Sequence, residues 1–140
     1  MSVVLLPWQQ HLMKCLTDAD EVISYWYIAP QHADFGKTWM AHYLGDTCGA
    51  LNTYPFADTM PLTHTIQAVK HYLHNSCTQA PTQKILVFDM HTGCRLRHRL
   101  KRLGPCLSAA HVLVFTDEAP DKDTLALRDW EIVDFTLCYS

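Results

Sequence analysis

Two apolar runs, each followed by an aspartate, are the strongest constraint on how this 140-residue chain can fold. Residues 84–89 read Lys-Ile-Leu-Val-Phe-Asp, and residues 111–116 read His-Val-Leu-Val-Phe-Thr before Asp117. Neither run alternates apolar with polar residues, which is the pattern of a strand buried on both faces. Strands of this kind belong to parallel sheets that are covered by helices.

Helix-like and strand-like segments alternate along the rest of the chain. Apolar residues at helical spacing predict helices at 7–17, 37–44, 63–75, 95–103 and 122–128, the second ending near Gly45. β-Branched and aromatic runs predict further strands at 22–28, 50–56 and 131–137. This alternation is typical of an α/β fold in which a mostly parallel central sheet carries helices on both faces.

Length and composition limit the class of protein. The 140 residues predict a single domain, 1–140, that opens with a short helical segment at 1–20. Hydrophobic residues make up 49% and charged residues 18%, which is enough for one core and excludes a disordered chain. The net charge of −3 gives no overall attraction to nucleic acid or anionic membranes, so such binding needs a local basic patch.

Membrane segments, disulfides and zinc sites find little support in the sequence. No apolar run reaches the roughly 18 residues of a membrane span, and the first residues lack the basic start of a signal peptide. The six cysteines form no Cys-x-x-Cys pair, which favours reduced thiols in an intracellular protein. His91 and Cys94 come closest to a zinc-ligand spacing, but ordinary surface or half-buried histidines are the better interpretation.

The triplet Gly36-Lys37-Thr38 lies where a predicted strand and loop pass into a predicted helix. The free amide groups and the dipole at a helix N-terminus attract anions. In a phosphate-binding loop, a lysine here reaches the β- and γ-phosphates of a nucleotide, and the threonine hydroxyl binds Mg²⁺. The sequence therefore predicts a phosphate site at Gly36, Lys37 and Thr38, with ATP and Mg²⁺ as cofactors.

The loop before this triplet departs from the full phosphate-loop pattern. The pattern requires a glycine five residues before Gly36, where this chain has Gln31, and residues 29–35 contain no glycine. Asp34 adds a negative charge beside the predicted anion site. The alternative interpretation is that Lys37 is a solvated lysine at the start of an ordinary helix.

Acids follow both apolar runs, at the sheet edge where ligands of open α/β folds bind. Asp89 can hold Mg²⁺ directly or through water, whereas Met90 after it cannot activate water as a second acid would. Asp117 would lie near the γ-phosphate, but an ionised carboxylate accepts hydrogen bonds and donates none. Lys37, Asp89 and Asp117 are the candidate catalytic residues; an ordinary strand-end acid is the alternative for Asp89.

A basic run occupies the segment between the two acids. It contains Arg95, Arg97, His98, Arg99, Lys101 and Arg102. Five permanent positive charges in eight positions predict contacts with a phosphate backbone, of single-stranded DNA or another nucleic acid. No aromatic residue is interleaved, so base stacking is not indicated. A solvated helix face and a docking site for an acidic protein are the alternatives.

Taken together, the chain resembles the superfamily 3 helicase domain in the replication-associated (Rep) proteins of circular single-stranded DNA viruses, such as circoviruses and nanoviruses. Five segments carry the likeness in the family's order. They are Leu6-Pro7-Trp8-Gln9-Gln10, residues 25–30 and 36–44 as Walker A, 85–89 as Walker B, 111–120 as motif C, and Trp130-Glu131-Ile132. The resemblance implies a P-loop NTPase-like three-layer fold, ATP-driven DNA unwinding by a homo-oligomeric ring, and a place in an infected host cell, such as its nucleus.

Several departures from the family pattern weaken the expected activity. The loop glycine is missing, and Asp117 stands where motif C ends in asparagine. The arginine near the family's tryptophan is transposed, in Arg128-Asp129-Trp130. About 27 residues separate Asp89 from Asp117, too few for the hairpin that grips DNA in the family. The nicking domain of the family has no counterpart in these residues.

Two hypotheses follow from these patterns. The first is an Mg²⁺-dependent ATPase or helicase, which the retained Gly36-Lys37-Thr38 and Asp89 favour. The second is a catalytically inactive, helicase-derived module that binds nucleic acid or a partner protein through residues 95–102, which the altered loop, Met90 and Asp117 favour. We expect a helicase-derived domain with weakened or absent unwinding.

Overall fold

The computed structural model describes residues 4–18, 21–29, 36–52, 62–74, 84–89, 100–104, 107 and 110–135. The helices are Pro7–Asp18 (α1), Lys37–Cys48 (α2), Leu62–His74 (α3) and Lys122–Leu127 (α4). The strands are Ser24–Ile28 (β1), Leu51–Asn52 (β2), Lys84–Asp89 (β3), Ala110–Thr116 (β4) and Glu131–Asp134 (β5). Residues 100–103 are also helical.

The five strands form one sheet in the order β2-β3-β4-β1-β5, and every neighbouring pair is parallel. In the central pairs, Ile28 lies opposite Thr116, and Asp89 lies opposite Phe115. Because all strands run the same way, their carboxyl ends meet at one edge of the sheet. This edge therefore brings the ends of β3 and β4 close to the segment that follows β1.

Alternate residues of the central strands are buried on opposite faces of the sheet. Trp26, Leu86 and Val112 join one core cluster with α3 and the helical residues 100–103. Their neighbours Tyr27, Val87 and Leu113 join a second cluster with α1 and α2. Both faces are thus covered by helices, and the predicted α/β fold with a parallel sheet between helical layers is confirmed.

Aromatic packing fixes α1 against the sheet. Pro7 begins this helix, where its missing amide and restricted φ cost nothing. The Trp8 ring lies 5.0 Å from the Tyr27 ring and 5.5 Å from the Phe135 ring, centroid to centroid. Such tilted aromatic contacts stabilise the packing beyond what the burial of ring area alone contributes. They hold the start of α1 next to the carboxyl half of β1.

The observed bounds agree with most predictions from periodicity. The elements α1, α3, α4, β1, β3 and β4 begin and end within two residues of the predicted limits. The described part of the predicted strand 50–56 is Leu51–Asn52, and that of 131–137 is Glu131–Asp134, followed by Phe135. Residues 100–103 confirm the end of the helix predicted at 95–103, whereas 95–99 lie outside the described residues.

The prediction that α2 ends near Gly45 is wrong. The helix continues to Cys48, and Gly49 ends it in the left-handed conformation, with φ of 69°. Glycine inside a helix costs about 1 kcal/mol relative to alanine. Burial of Met40, Ala41 and Leu44 against the sheet outweighs this cost.

Arg128 joins the amino ends of β1 and β4. Its Nε donates to Ser24 Oγ over 2.6 Å, and its two terminal nitrogens donate to the carbonyls of Leu107 and Ala110. Nearby, His111 Nδ1 accepts the Ile23 amide over 2.9 Å. Arg128 therefore lies at the amino edge of the sheet, opposite the carboxyl edge that carries Asp89 and Asp117.

Two cysteines lie within the described residues. Cys15 and Cys48 are free thiols. Among the helices in the described ranges, none combines the length and apolarity needed to cross a membrane.

Candidate functional site

The turn before α2 is shaped by a single glycine. Gly36 has φ of 78° and ψ of 22°, a left-handed conformation that glycine adopts without steric cost. Its carbonyl accepts the Met40 amide over 3.0 Å and so begins the helical ladder. Among the described residues, no side chain caps this end of α2. The first-turn amides, which have no partner within the helix, can therefore bind an anion.

The triplet and the end of β3 meet through one hydrogen bond. Thr38 Oγ1 donates to Asp89 Oδ2 over 2.9 Å, joining residues 51 positions apart. Asp89 is only 3% exposed, whereas Thr38 is exposed. Burying a carboxylate is costly unless it is paired or hydrogen-bonded. The bond thus combines a buried acid with a hydroxyl that solvent can reach.

This pair of oxygens suits Mg²⁺. Octahedral Mg²⁺ with bonds of about 2.1 Å places adjacent ligand oxygens about 3.0 Å apart. The 2.9 Å between Thr38 Oγ1 and Asp89 Oδ2 matches that spacing. Within the described ranges, no group of three or more His, Cys, Asp or Glu side chains could hold a metal ion. Mg²⁺ commonly takes one or two carboxylates and completes its shell with phosphate and water.

Lys37 is half-buried and lies within the electrostatic influence of Asp89 and Asp117. Burial lowers its pKa from the usual value, while the negative charges of Asp89 and Asp117 act to raise it. The cost of burying the ammonium group thus outweighs its attraction to the two carboxylates. A bound phosphate would offer it a further negative partner in a site of reduced dielectric, where charge attraction is stronger than in water.

Asp117 enters the site from the end of β4. Alternation along β4 directs Leu113 and Phe115 toward α1 and α2, and Asp117 continues this series. Its charge acts on Lys37. The buried Thr116 hydroxyl beside it has no hydrogen-bond partner among the described residues. The structure thus brings together Gly36, Lys37, Thr38, Asp89 and Asp117.

Gln9 is a further residue of this site, and no sequence pattern had assigned it a role there. It is 2% exposed, and its Nε2 donates to the Gly36 carbonyl over 3.2 Å. One signal could have revealed it: Gln9 shares the buried face of α1 with Leu12 and Leu16. A polar residue on the apolar face of an amphipathic helix needs a buried partner.

A cleft of about 340 Å³ opens beside Gly36. Its walls are Val4, Leu6, Gln9, Gly36 and Trp39. Trp39 directly follows the triplet, is 45% exposed and stacks on Tyr43 with ring centroids 5.1 Å apart. The cleft therefore offers a surface that is about half apolar, with one aromatic side chain, next to the helix N-terminus.

The predicted basic surface does not meet this site in the described structure. Lys101 and Arg102 are exposed, while Leu100 and Leu103 are buried in the cluster on the α3 face. Helix α2, in contrast, packs on the other face of the sheet. The predicted nucleic-acid residues Arg95, Arg97 and Arg99 lie outside the described residues, as do Gln31, Asp34, Met90, His91 and Cys94.

Comparison of the chain with models of known protein families gives no match. Comparison with curated proteins gives no significant match either.

Proposed function

We propose that this protein is a Rep-type, superfamily 3 helicase-like P-loop domain that binds Mg²⁺·ATP at the start of α2, in the context of viral DNA replication. The observation that carries this proposal is the Thr38–Asp89 hydrogen bond. Two segments distant in sequence meet there and supply a hydroxyl, a carboxylate and a helix N-terminus together. Phosphate and Mg²⁺ each find complementary groups in this arrangement.

Each residue has a defined part in this binding. The first-turn amides of α2 and the Lys37 ammonium bind the β- and γ-phosphates. Thr38 and Asp89 hold Mg²⁺, and Asp117 occupies the sensor position near the γ-phosphate. The base extends into the cleft lined by Leu6 and Trp39, because this cleft adjoins Gly36.

We infer that hydrolysis is slow or absent. An efficient ATPase needs a group that orients and activates water, and Met90 after Asp89 offers neither charge nor hydrogen bond. Asp117 accepts hydrogen bonds but cannot donate to the transferred phosphate. We therefore propose ATP binding first of all. The stronger form of this function adds ATP hydrolysis and DNA unwinding by a ring-shaped oligomer inside an infected cell.

Nucleotide binding with and without Mg²⁺ tests this function. Calorimetry should give micromolar to millimolar binding of ATP to the wild type, and Lys37→Ala should weaken it at least tenfold by removing a phosphate-binding charge. The matched control is Lys70→Ala, an exposed lysine on α3, which should bind as the wild type does. A wild type that binds no ATP at millimolar concentration would sink the proposal.

A second candidate function is nucleic-acid binding through residues 95–102. It is favoured by the exposure of Lys101 and Arg102 on a helix whose Leu100 and Leu103 are buried. Replacing Lys101 and Arg102 by glutamate should abolish salt-sensitive binding of single-stranded DNA. The control is Lys122→Glu, an exposed lysine on α4. Equal binding by both variants would assign the basic run another role.

A further inference from the structure

The Gln9 side chain forms a bridge between the N-terminal segment and the turn before α2. Its Oε1 accepts the Leu6 amide over 2.9 Å, and its Nε2 donates to the Gly36 carbonyl over 3.2 Å. Both ends of a buried amide are therefore engaged, which fixes its orientation. The second bond spans 27 positions in sequence and is a direct polar link from α1 to the phosphate-binding turn.

The group that Gln9 holds determines the direction of the helix start. The Gly36 carbonyl receives two donors, the Gln9 amide and the Met40 amide that begins the α2 ladder. A Cβ on residue 36 would come within 2.8 Å of Gln9 Nε2, so the two residues are in close contact. Rotation of the Gly36 peptide would break both bonds and redirect the following amides.

We propose that Gln9 is a positioning residue of the phosphate site. It anchors the Gly36 carbonyl and thereby aims the first-turn amides of α2 at the phosphate groups, without touching those groups itself. The same bridge couples ligand occupancy to the N-terminal segment: if docking of Leu6 and Gln9 on Gly36 favours phosphate, phosphate must favour that docking equally. This inference rests on the proposed function, since it assigns Gln9 to the same site.

The neighbouring glutamine provides a matched control. Gln10 also donates from Nε2 to a backbone carbonyl, that of Leu5, over 2.8 Å, but it is exposed and makes no bond to Gly36. Methionine resembles glutamine in length and adds no charge that would act on phosphate directly. Gln9→Met and Gln10→Met therefore differ in the bond to Gly36 and in burial.

The test measures binding of inorganic tripolyphosphate with Mg²⁺ by calorimetry, since this probe lacks base and ribose. Gln9→Met should raise its Kd severalfold and at most about tenfold, because the coupling cannot exceed the roughly 1.4 kcal/mol of the lost hydrogen bond. Gln10→Met should leave it within twofold of the wild type. Equal affinities of the Gln9 and Gln10 variants, with the wild type binding, overturn the inference alone. A wild type that binds neither tripolyphosphate nor ATP overturns the proposed function as well.

Hydrogen exchange on the unmodified protein gives a second measurement, which decides the question even if Gln9→Met does not fold. Saturating tripolyphosphate with Mg²⁺ should slow exchange of the Leu6 amide, which donates to Gln9. A side chain that only stabilises the fold would give the Leu6 amide no more slowing than the Leu125 amide of α4, which bound ligand slows only through overall stabilisation. Slowing at Leu6 that does not exceed the slowing at Leu125 contradicts the coupling.

Discussion

The two edges of the parallel sheet hold their charged side chains in different ways. At the amino edge, Arg128 is bonded through three nitrogens to Ser24, Leu107 and Ala110. At the carboxyl edge, the negative charges of Asp89 and Asp117 act on Lys37. The hydrogen bond between Thr38 and Asp89 joins an exposed residue to a buried one.

This difference separates a structural role from a binding role. A guanidinium whose three nitrogens each donate to a partner within the fold joins elements of the fold and has fewer donors left to offer a ligand. A charge placed among groups of opposite sign, at a helix N-terminus, can exchange partners when an anion or cation arrives. The amino edge therefore supports the fold, and the carboxyl edge is the candidate site.

Arg128→Ala is the largest expected perturbation of the amino edge. It removes three hydrogen bonds that a charged group donates, and the carbonyls of Leu107 and Ala110 lose that donor. We expect the free energy of unfolding to fall by roughly 3 kcal/mol, measured by urea denaturation. Tripolyphosphate affinity of the folded fraction should stay unchanged. A loss of affinity with little loss of stability would reverse the roles assigned to the two edges.

Asp89→Asn perturbs the carboxyl edge with little change of shape. Asparagine can still accept the Thr38 hydroxyl, but it lacks the charge that Mg²⁺ prefers. The gain in ATP affinity on adding Mg²⁺ should fall about tenfold, or about 1.4 kcal/mol, by calorimetry. Asp46→Asn, at an exposed position on α2, serves as the control. An unchanged Mg²⁺ effect would remove Asp89 from the metal site.

Trp39→Ala separates the cleft from the phosphate site. Aromatic contacts of a base are worth about 1 kcal/mol beyond burial, so ATP should bind about fivefold more weakly. Tripolyphosphate should bind equally well, since it does not enter the cleft. The ratio of the two affinities is the measurement. If both ligands weaken in parallel, Trp39 acts on the turn rather than on the base.

His111 makes the amino edge sensitive to acid, with the smallest expected effect. Burial, aided by the positive charge of Arg128, lowers the pKa of His111 below its usual 6.5. The folded state therefore binds this proton less readily than the unfolded state, and the stabilisation is complete above pH 6.5 and lost as the pH falls through the lower folded pKa. His111→Gln, whose oxygen can accept the Ile23 amide, should flatten this part of the unfolding profile.

The outcome at pH 8 serves as the control for that experiment, because the wild-type histidine is neutral there. A profile in the variant that falls below pH 6.5 as steeply as that of the wild type would assign the acid sensitivity to another group.

Local patterns explain why most of the fold was predictable. The runs 84–89 and 111–116 contain side chains that only a two-sided apolar environment accommodates, and they became the central strands β3 and β4. The end of α2 was not predictable in the same way. Glycine at 45 is a weak local stop signal, and burial of Leu44 against the sheet outweighed it.

The candidate site was predictable as a set of residues but not as an arrangement. Strand-end acids in a parallel sheet share an edge, so Asp89 and Asp117 could be placed near the start of α2 from sequence. The distance between Thr38 and Asp89 could not be predicted from sequence, because strand order and register depend on long-range packing. Of the basic run, the described Lys101 and Arg102 lie on a helical segment whose Leu100 and Leu103 pack on the face opposite α2.

The sequence by itself determined the layered α/β fold and the residues at its carboxyl edge, because burial patterns and strand direction are local consequences of side-chain chemistry. Tertiary structure alone decided which charged side chains are hydrogen-bonded within the fold and which can exchange their partners for a ligand. Gln9 reaches Gly36, and Arg128 joins two strand starts, across 27 and 104 positions in sequence. Contacts at such separations exist only after the sheet and its helices have packed, so no local pattern encodes them.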